Sequence, residues 1–114
     1  MSQTPLLPGF VYLKSFERAA KGELTEDDRA NLERELCANP EVGSAMVGTG
    51  GVRKMRFGRE GEGKRGGLRV IYYYRNQVGR IYMLTMYPKN VQDNLSRDVR
   101  NAMKALTAQL DRDR

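Results

Sequence analysis

Three short segments, Val52 to Phe57, Leu68 to Tyr74 and Ile81 to Tyr87, do most to limit how this chain can fold. Each is rich in β-branched and aromatic residues and is bounded by glycine or turn-forming residues, the pattern of a strand. Gly58 to Gly67 forms a long glycine-rich connection, and Arg75 to Arg80 a short one with Asn76 and Gly79 available for a turn. Three consecutive strands joined in this way predict an antiparallel meander.

Helical patterns flank the meander. Residues 14 to 21 are compatible with a helix, and Gly22 interrupts it. Thr25 followed by Asp28 resembles an N-cap arrangement, opening a second helix that ends before Asn39 and Pro40. The two are expected to pack as a hairpin, with Leu32 and Leu36 one turn apart, Arg29 and Glu33 as an exposed pair, and Cys37 turned inward as a small apolar residue. Beyond the meander Ser96 can cap a helix whose Val99, Ala102, Met103, Leu106 and Leu110 form one apolar stripe, expected to be buried. Phe10 to Leu13 is either a short edge strand or the entry to the first helix. The predicted fold is α+β, a small antiparallel sheet of three to four strands with an N-terminal helical hairpin and a C-terminal helix. With 114 residues, 39% of them hydrophobic, residues 1–114 are expected to form a single domain around one modest core.

Several function classes fall away on composition. The longest apolar runs are far below the roughly 20 residues that cross a bilayer, and no basic region precedes an apolar stretch at the amino end, so neither membrane insertion nor export is expected. Cys37 is the sole cysteine and histidine is absent, which removes disulfide scaffolds and the usual nitrogen ligands of a transition metal. No cofactor or metal is expected. Without histidine, proton transfer must fall to lysine, arginine, tyrosine or a carboxylate.

Charge is concentrated. Arg53 to Lys89 holds ten basic residues against the two acids Glu60 and Glu62, a local +8; the remainder carries ten basic and twelve acidic residues, −2, and the total is +6. Two nucleotide-binding patterns inside this field fail on context. Gly61, Gly63 and Gly66 match G-x-G-x-x-G, and Gly58 to Lys64 matches G-x-x-x-x-G-K, but a strand follows where a helix is required, and Arg65 stands where a magnesium-binding hydroxyl belongs.

Alternate residues of a strand share a face, so Lys54 and Arg56 point one way while Met55 and Phe57 point the other, into the core. Arg69 lies opposite Leu68 and Val70 on the next strand. If these strands pair in register, Lys54, Arg56 and Arg69 converge. Fixed cations on a sheet attract a phosphodiester backbone, and each guanidinium can hold a phosphate through two hydrogen bonds. Tyr72, Tyr73, Tyr74, Tyr82 and Tyr87 offer rings for unstacked bases, which favours single-stranded nucleic acid, although most are equally suited to the core. Tyr87, beside Pro88 and Lys89 at a strand end, is the tyrosine singled out for RNA.

The segments GTGGVRKMRF (Gly48 to Phe57), GKRGGLRVIYY (Gly63 to Tyr73) and MYPKN (Met86 to Asn90), in this order and spacing, resemble the RelE/ParE superfamily of bacterial type II toxins and, within it, the HigB-like branch. The resemblance spans about Leu32 to the last helix. It implies a small ribosome-dependent endoribonuclease (an mRNA interferase) that cuts translated messenger RNA in the cytoplasm. It also implies a cognate helix-turn-helix antitoxin, HigA-like, through which alone the toxin reaches operator DNA. Carried over by position, the catalytic group is Lys54, Arg56, Arg69 and Lys89, with Arg53, Lys64, Arg65 and Tyr87 contacting RNA. Val91 to Leu95 contains neither the tyrosine nor the histidine that some relatives place there.

The implied reaction is metal-independent attack of a ribose 2′-hydroxyl on the adjacent phosphate. Arg56 and Arg69 suit stabilisation of the transition-state charge, since guanidinium stays protonated. A lysine crowded by cations gives up its proton more readily than an isolated one, which makes Lys54 the candidate base. Lys64 or Lys89 would protonate the leaving oxygen or grip the backbone. Two rival readings share the basic field: a catalytically silent nucleic-acid-binding or repressor module, and a gyrase poison of ParE type.

Overall fold

All three expected segments are strands in the computed structural model, which describes residues 9–58, 67–88 and 96–112. In chain order the elements are β1 (Gly9–Tyr12), α1 (Lys14–Ala20), α2 (Glu26–Ala38), β2 (Ser44–Ala45), β3 (Val52–Phe57), β4 (Leu68–Arg75), β5 (Arg80–Pro88) and α3 (Arg97–Arg112). They build one five-stranded sheet in the order β1-β5-β4-β3-β2. The meander β3-β4-β5 is antiparallel, as expected, and the turn after β4 places Gly79 at φ +65°, where a side chain is disfavoured.

The sheet departs from expectation at both edges. It has five strands rather than three to four, and β1 pairs parallel to β5, so the sheet is mixed. β2 contributes two residues, too few for any alternation to register, and pairs Ser44 with Lys54 and Ala45 with Arg53. β1 joins a strand some seventy positions away in sequence, Gly9 opposite Arg80, a pairing that no local pattern encodes. Its alternation is nevertheless that of an edge strand, Phe10 and Tyr12 packing on the core and Val11 exposed.

Both faces of the sheet are covered, and β3, β4 and β5 each supply both. Met55, Phe57, Leu68, Val70, Tyr72, Ile81, Met83 and Met86 meet Phe16 and Ala20 of α1 and Leu32 and Leu36 of α2. Val52, Ile71, Tyr73, Tyr82 and Leu84 form a second cluster on the opposite face with Met46 and with Leu110 of α3. The register slips between Ile71, which pairs with Thr85, and Tyr72, which pairs with Met83. Leu84 is the extra residue of a bulge, which shifts the alternation of β5 and lets both Met83 and Met86 face α1 and α2.

The helical hairpin forms where expected, and α2 opens on a capping box: the Thr25 hydroxyl accepts from Asp28 N–H at 3.0 Å, and the Asp28 carboxylate accepts from Thr25 N–H at 3.1 Å. Arg29 and Glu33 correct the expectation of an exposed pair. Arg29 bridges to Glu17 at 2.9 Å and lies over the rings of Tyr12 and Phe16, while Glu33 accepts a hydrogen bond from the Tyr12 hydroxyl. Both tie α2 to α1 and β1 instead. Cys37 is half-buried.

α3 is capped by Ser96, whose hydroxyl accepts from Val99 N–H at 3.2 Å. Its apolar stripe is buried only at the C-terminal end, a second correction: Leu110 is buried, Met103 and Leu106 are half-buried, and Val99 and Ala102 are exposed. The helix touches the sheet through its last turns, and the half-buried part of the stripe borders an open groove with Ser15, Leu84 and Thr85. No described helix is long and apolar enough to cross a membrane.

Candidate functional site

Strand alternation puts Lys54 and Arg56 of β3, and Arg69 of β4, on the face that also carries α3. That helix covers the end of the face occupied by Val52, Ile71 and Tyr73 through Leu110, while the other end holds the cations. The register pairs Arg56 directly with Arg69, and Arg69 directly with Tyr87 of β5. Arg56, Arg69 and Tyr87 therefore form a row across three strands, with neighbouring Cβ atoms roughly 5 Å apart, as in any directly opposed pair. Lys54, opposite Ile71, stands one pleat along the same face.

Two guanidinium groups held directly opposite each other destabilise a sheet unless an anion lies between them. Arg69 sharpens the point, because its Nε is buried and has no hydrogen-bond partner among the described residues. A buried donor in that state costs about 1–3 kcal/mol. Lys54, Arg56 and Arg69 line a shallow cleft of about 270 Å³, whose remaining wall comes from Val42, Ser44, Met55 and Glu35. The cleft has the charge and the donors to take a phosphate: two planar forks, an ammonium, and an aromatic ring at the end of the row.

The structure thus brings together Lys54, Arg56, Arg69 and Tyr87, the last half-buried beside Arg69. It places Arg53 elsewhere. Its side chain leaves on the opposite face of β3, where Nη1 donates to the carbonyls of Gly43 at 2.7 Å and Glu41 at 3.3 Å, supporting the segment that forms the cleft wall. Lys64, Arg65 and Lys89 lie outside the described residues. Of the other tyrosines, Tyr72, Tyr73 and Tyr82 are buried in the two core clusters and Tyr74 packs against the first. Tyr72 donates to Pro40 C=O at 2.8 Å and accepts from Gly43 N–H at 2.9 Å, so its hydroxyl holds the wall from below.

One residue of the site was not anticipated. Glu35 lies exposed on the last turn of α2, on the hairpin side of the sheet, and borders the cleft there together with Met55 of the same face. Partial burial pushes its carboxyl up from the ordinary value. The helix C-terminus, the negative end of the macrodipole, acts in the same sense. Nothing local in the sequence distinguishes it from the other acids of α2. Among the described residues, no group of three or more histidine, cysteine or acidic side chains is placed to hold a metal ion.

This fold, a mixed five-stranded sheet with a helical hairpin on one face and a C-terminal helix on the other, is similar to that of a solved toxin. The E. coli toxin RelE, solved in the free state as a double arginine-to-alanine mutant, matches with a TM-score of 0.51 over 77% of this chain and 90% of that one, at 14% identity. The family model described as the RelE toxin of the RelE/RelB toxin–antitoxin system matches residues 10–113. This chain belongs to the RelE toxin family.

Proposed function

We propose that this RelE-family protein is the toxin of a type II toxin–antitoxin system and acts as a ribosome-dependent endoribonuclease that cleaves translated messenger RNA. The observation that carries the reading is the direct opposition of Arg56 and Arg69 beside Lys54, an arrangement that costs stability unless a phosphate occupies it. In the reaction a ribose 2′-oxygen attacks the adjacent phosphorus as its proton leaves, the bond to the 5′-oxygen breaks, and that oxygen is protonated, giving a 2′,3′-cyclic phosphate and a free 5′-hydroxyl. Arg56 and Arg69 hold the non-bridging oxygens as charge builds on them. Lys54 is a proton-transfer group of the cleft, and Tyr87 offers its ring to a base flanking the scissile bond. Lys64, Arg65 and Lys89 grip the RNA backbone or assist the leaving oxygen, whereas Arg53 contributes through the wall it supports.

The partners of this reading are the ribosome and its messenger RNA in the cytoplasm, and a HigA-like helix-turn-helix antitoxin through which the pair reaches operator DNA. The test is a short induction followed by primer extension across several transcripts. Wild type should produce new 5′ ends within translated frames. Arg69→Ala should lower cleavage by roughly 10²–10³-fold with the fold retained by circular dichroism. Unchanged transcripts with wild type would leave a silent nucleic-acid-binding module, and DNA breaks in place of RNA ends would indicate a gyrase poison.

A further inference from the structure

Cleavage starts from a ribose 2′-hydroxyl, a group that both donates and accepts, and the cations of the cleft can only donate to it, since neither an ammonium nor a guanidinium carries an acceptor. We propose that Ser44 reads this hydroxyl, binding the ribose of the scissile nucleotide and selecting RNA over DNA, an inference that rests on the endoribonuclease reading above. Ser44 is directly opposite Lys54 in the β2–β3 ladder, so the two side chains share a face and their Cβ atoms lie roughly 5 Å apart. Arg56, two residues along β3, is its diagonal neighbour at roughly 7–8 Å, and all three line the cleft with Arg69. Among the described residues of the lining, two side chains carry an acceptor oxygen, Ser44 and Glu35. Ser44 is the one on the cationic face; Glu35 borders the cleft from the hairpin side.

The strand that presents Ser44 is two residues long and exposed, yet it is held on both sides. Ahead of it Gly43 N–H donates to the Tyr72 hydroxyl at 2.9 Å and Gly43 C=O accepts from Arg53 Nη1 at 2.7 Å. Behind it Met46 N–H donates to Val52 C=O at 2.8 Å, and Met46 C=O accepts from the buried Thr49 hydroxyl at 2.7 Å. Groups beneath the sheet surface thus fix a segment that adds nothing to the core itself. A hydroxyl placed in advance avoids the ordering cost that one on a loose loop meets on binding. From this position the Ser44 oxygen accepts from the 2′-hydroxyl, turning the lone pairs of that group toward the phosphorus held between Arg56 and Arg69, and the Ser44 hydrogen goes to a non-bridging phosphate oxygen. Deoxyribose offers Ser44 no such donor.

The experiment measures dissociation constants on programmed ribosomes for two messengers made uncleavable by a methylene group in place of the scissile 5′-oxygen. One keeps the 2′-hydroxyl at the scissile nucleotide and the other is 2′-deoxy there; cleavage of an ordinary messenger is followed alongside. Wild type should prefer the 2′-hydroxyl messenger by roughly 2–10-fold, the worth of one hydrogen bond. Ser44→Ala, a change at an exposed position, should bind the two equally, and Ser44→Thr, which keeps the hydroxyl, should retain the preference. If wild type cleaves the ordinary messenger and Ser44→Ala keeps the full preference, the assignment to Ser44 is overturned while the endoribonuclease reading stands. Weakening of both messengers by the same factor overturns it too, since that marks a loss of the cleft wall and not of a ribose contact, and so does equal binding of the two by wild type. If wild type does not cleave, both fall together.

Discussion

Tyr72 and Arg53 show how a single position on the sheet is committed to the wall or to the cleft. They are paired across β3 and β4, and both face α1 and α2, away from the cationic row. From there they hold residues 40–43 from beneath, Tyr72 through Pro40 and Gly43, Arg53 through Glu41 and Gly43. Gly43 is the close point of this contact. A Cβ there would come within 2.8 Å of the Lys54 carbonyl and 2.9 Å of the Tyr72 ring, so no larger residue fits without moving β2 off β3. Tyr72→Phe removes a donor and an acceptor at once and leaves a carbonyl and an N–H short of a partner. It should destabilise the protein by about 1–3 kcal/mol in urea unfolding, with the slope of the transition unchanged. As one of the five tyrosines on β4 and β5, Tyr72 is a candidate from sequence for stacking on RNA, because strand alternation says which side chains share a face but not which face is covered. That is decided by the helices.

At the scale of elements, α3 is fastened mainly at its C-terminal end, with Arg100 in its first turn donating to Val47 C=O. The Thr107 hydroxyl donates to Thr49 C=O at 3.3 Å, the Tyr73 hydroxyl donates to Asp111 at 2.6 Å, and the Arg75 guanidinium donates to the Leu110 and Asp111 carbonyls at 3.0 and 2.7 Å, capping the helix C-terminus. Gly50, at φ +76°, allows the loop before β3 to approach, since a Cβ there would lie 2.4 Å from the Thr107 hydroxyl. Gly50→Ala or Arg75→Ala should each cost about 1–3 kcal/mol and speed amide hydrogen exchange through α3, while β3, β4 and β5 remain protected. Faster exchange throughout the sheet would contradict this view of α3 as a separately anchored element. The periodicity of Val99 to Leu110 identifies the apolar side of this helix but carries no information on how far the sheet extends beneath it, which is why Val99 and Ala102 are exposed. The same division holds at the site. Lys54, Arg56 and Arg69 are legible from alternation, because the meander pairs consecutive strands; the placement of Glu35 depends on how α2 crosses a sheet formed by residues far from it in sequence. The parallel pairing of β1 with β5 is hidden for the same reason.

Across the whole molecule, three of the attachments between layers run through buried or half-buried phenols. Tyr12 joins β1 to α2 at Glu33, Tyr73 joins β4 to α3 at Asp111, and Tyr72 joins the sheet to the segment before β2. Burial raises all three hydroxyls above the ordinary tyrosine value of 10.0, and a neighbouring carboxylate adds to the effect at Tyr12 and Tyr73, which reaches about 12. A raised value in the folded state means that the unfolded chain releases these protons first as pH climbs. Their contribution to stability is therefore complete below about pH 10 and is lost as pH rises through the window that ends, for Tyr73, near 12. Denaturant titrations at a series of alkaline pH values should show the folding free energy falling steeply across this range. Tyr73→Phe, which cannot ionise and cannot donate to Asp111, should start less stable at neutral pH and decline with a shallower slope. An equal slope in the variant would mean that the joint between sheet and α3 is not held by this phenol, and that the alkaline loss arises from the other two, Tyr12 and Tyr72.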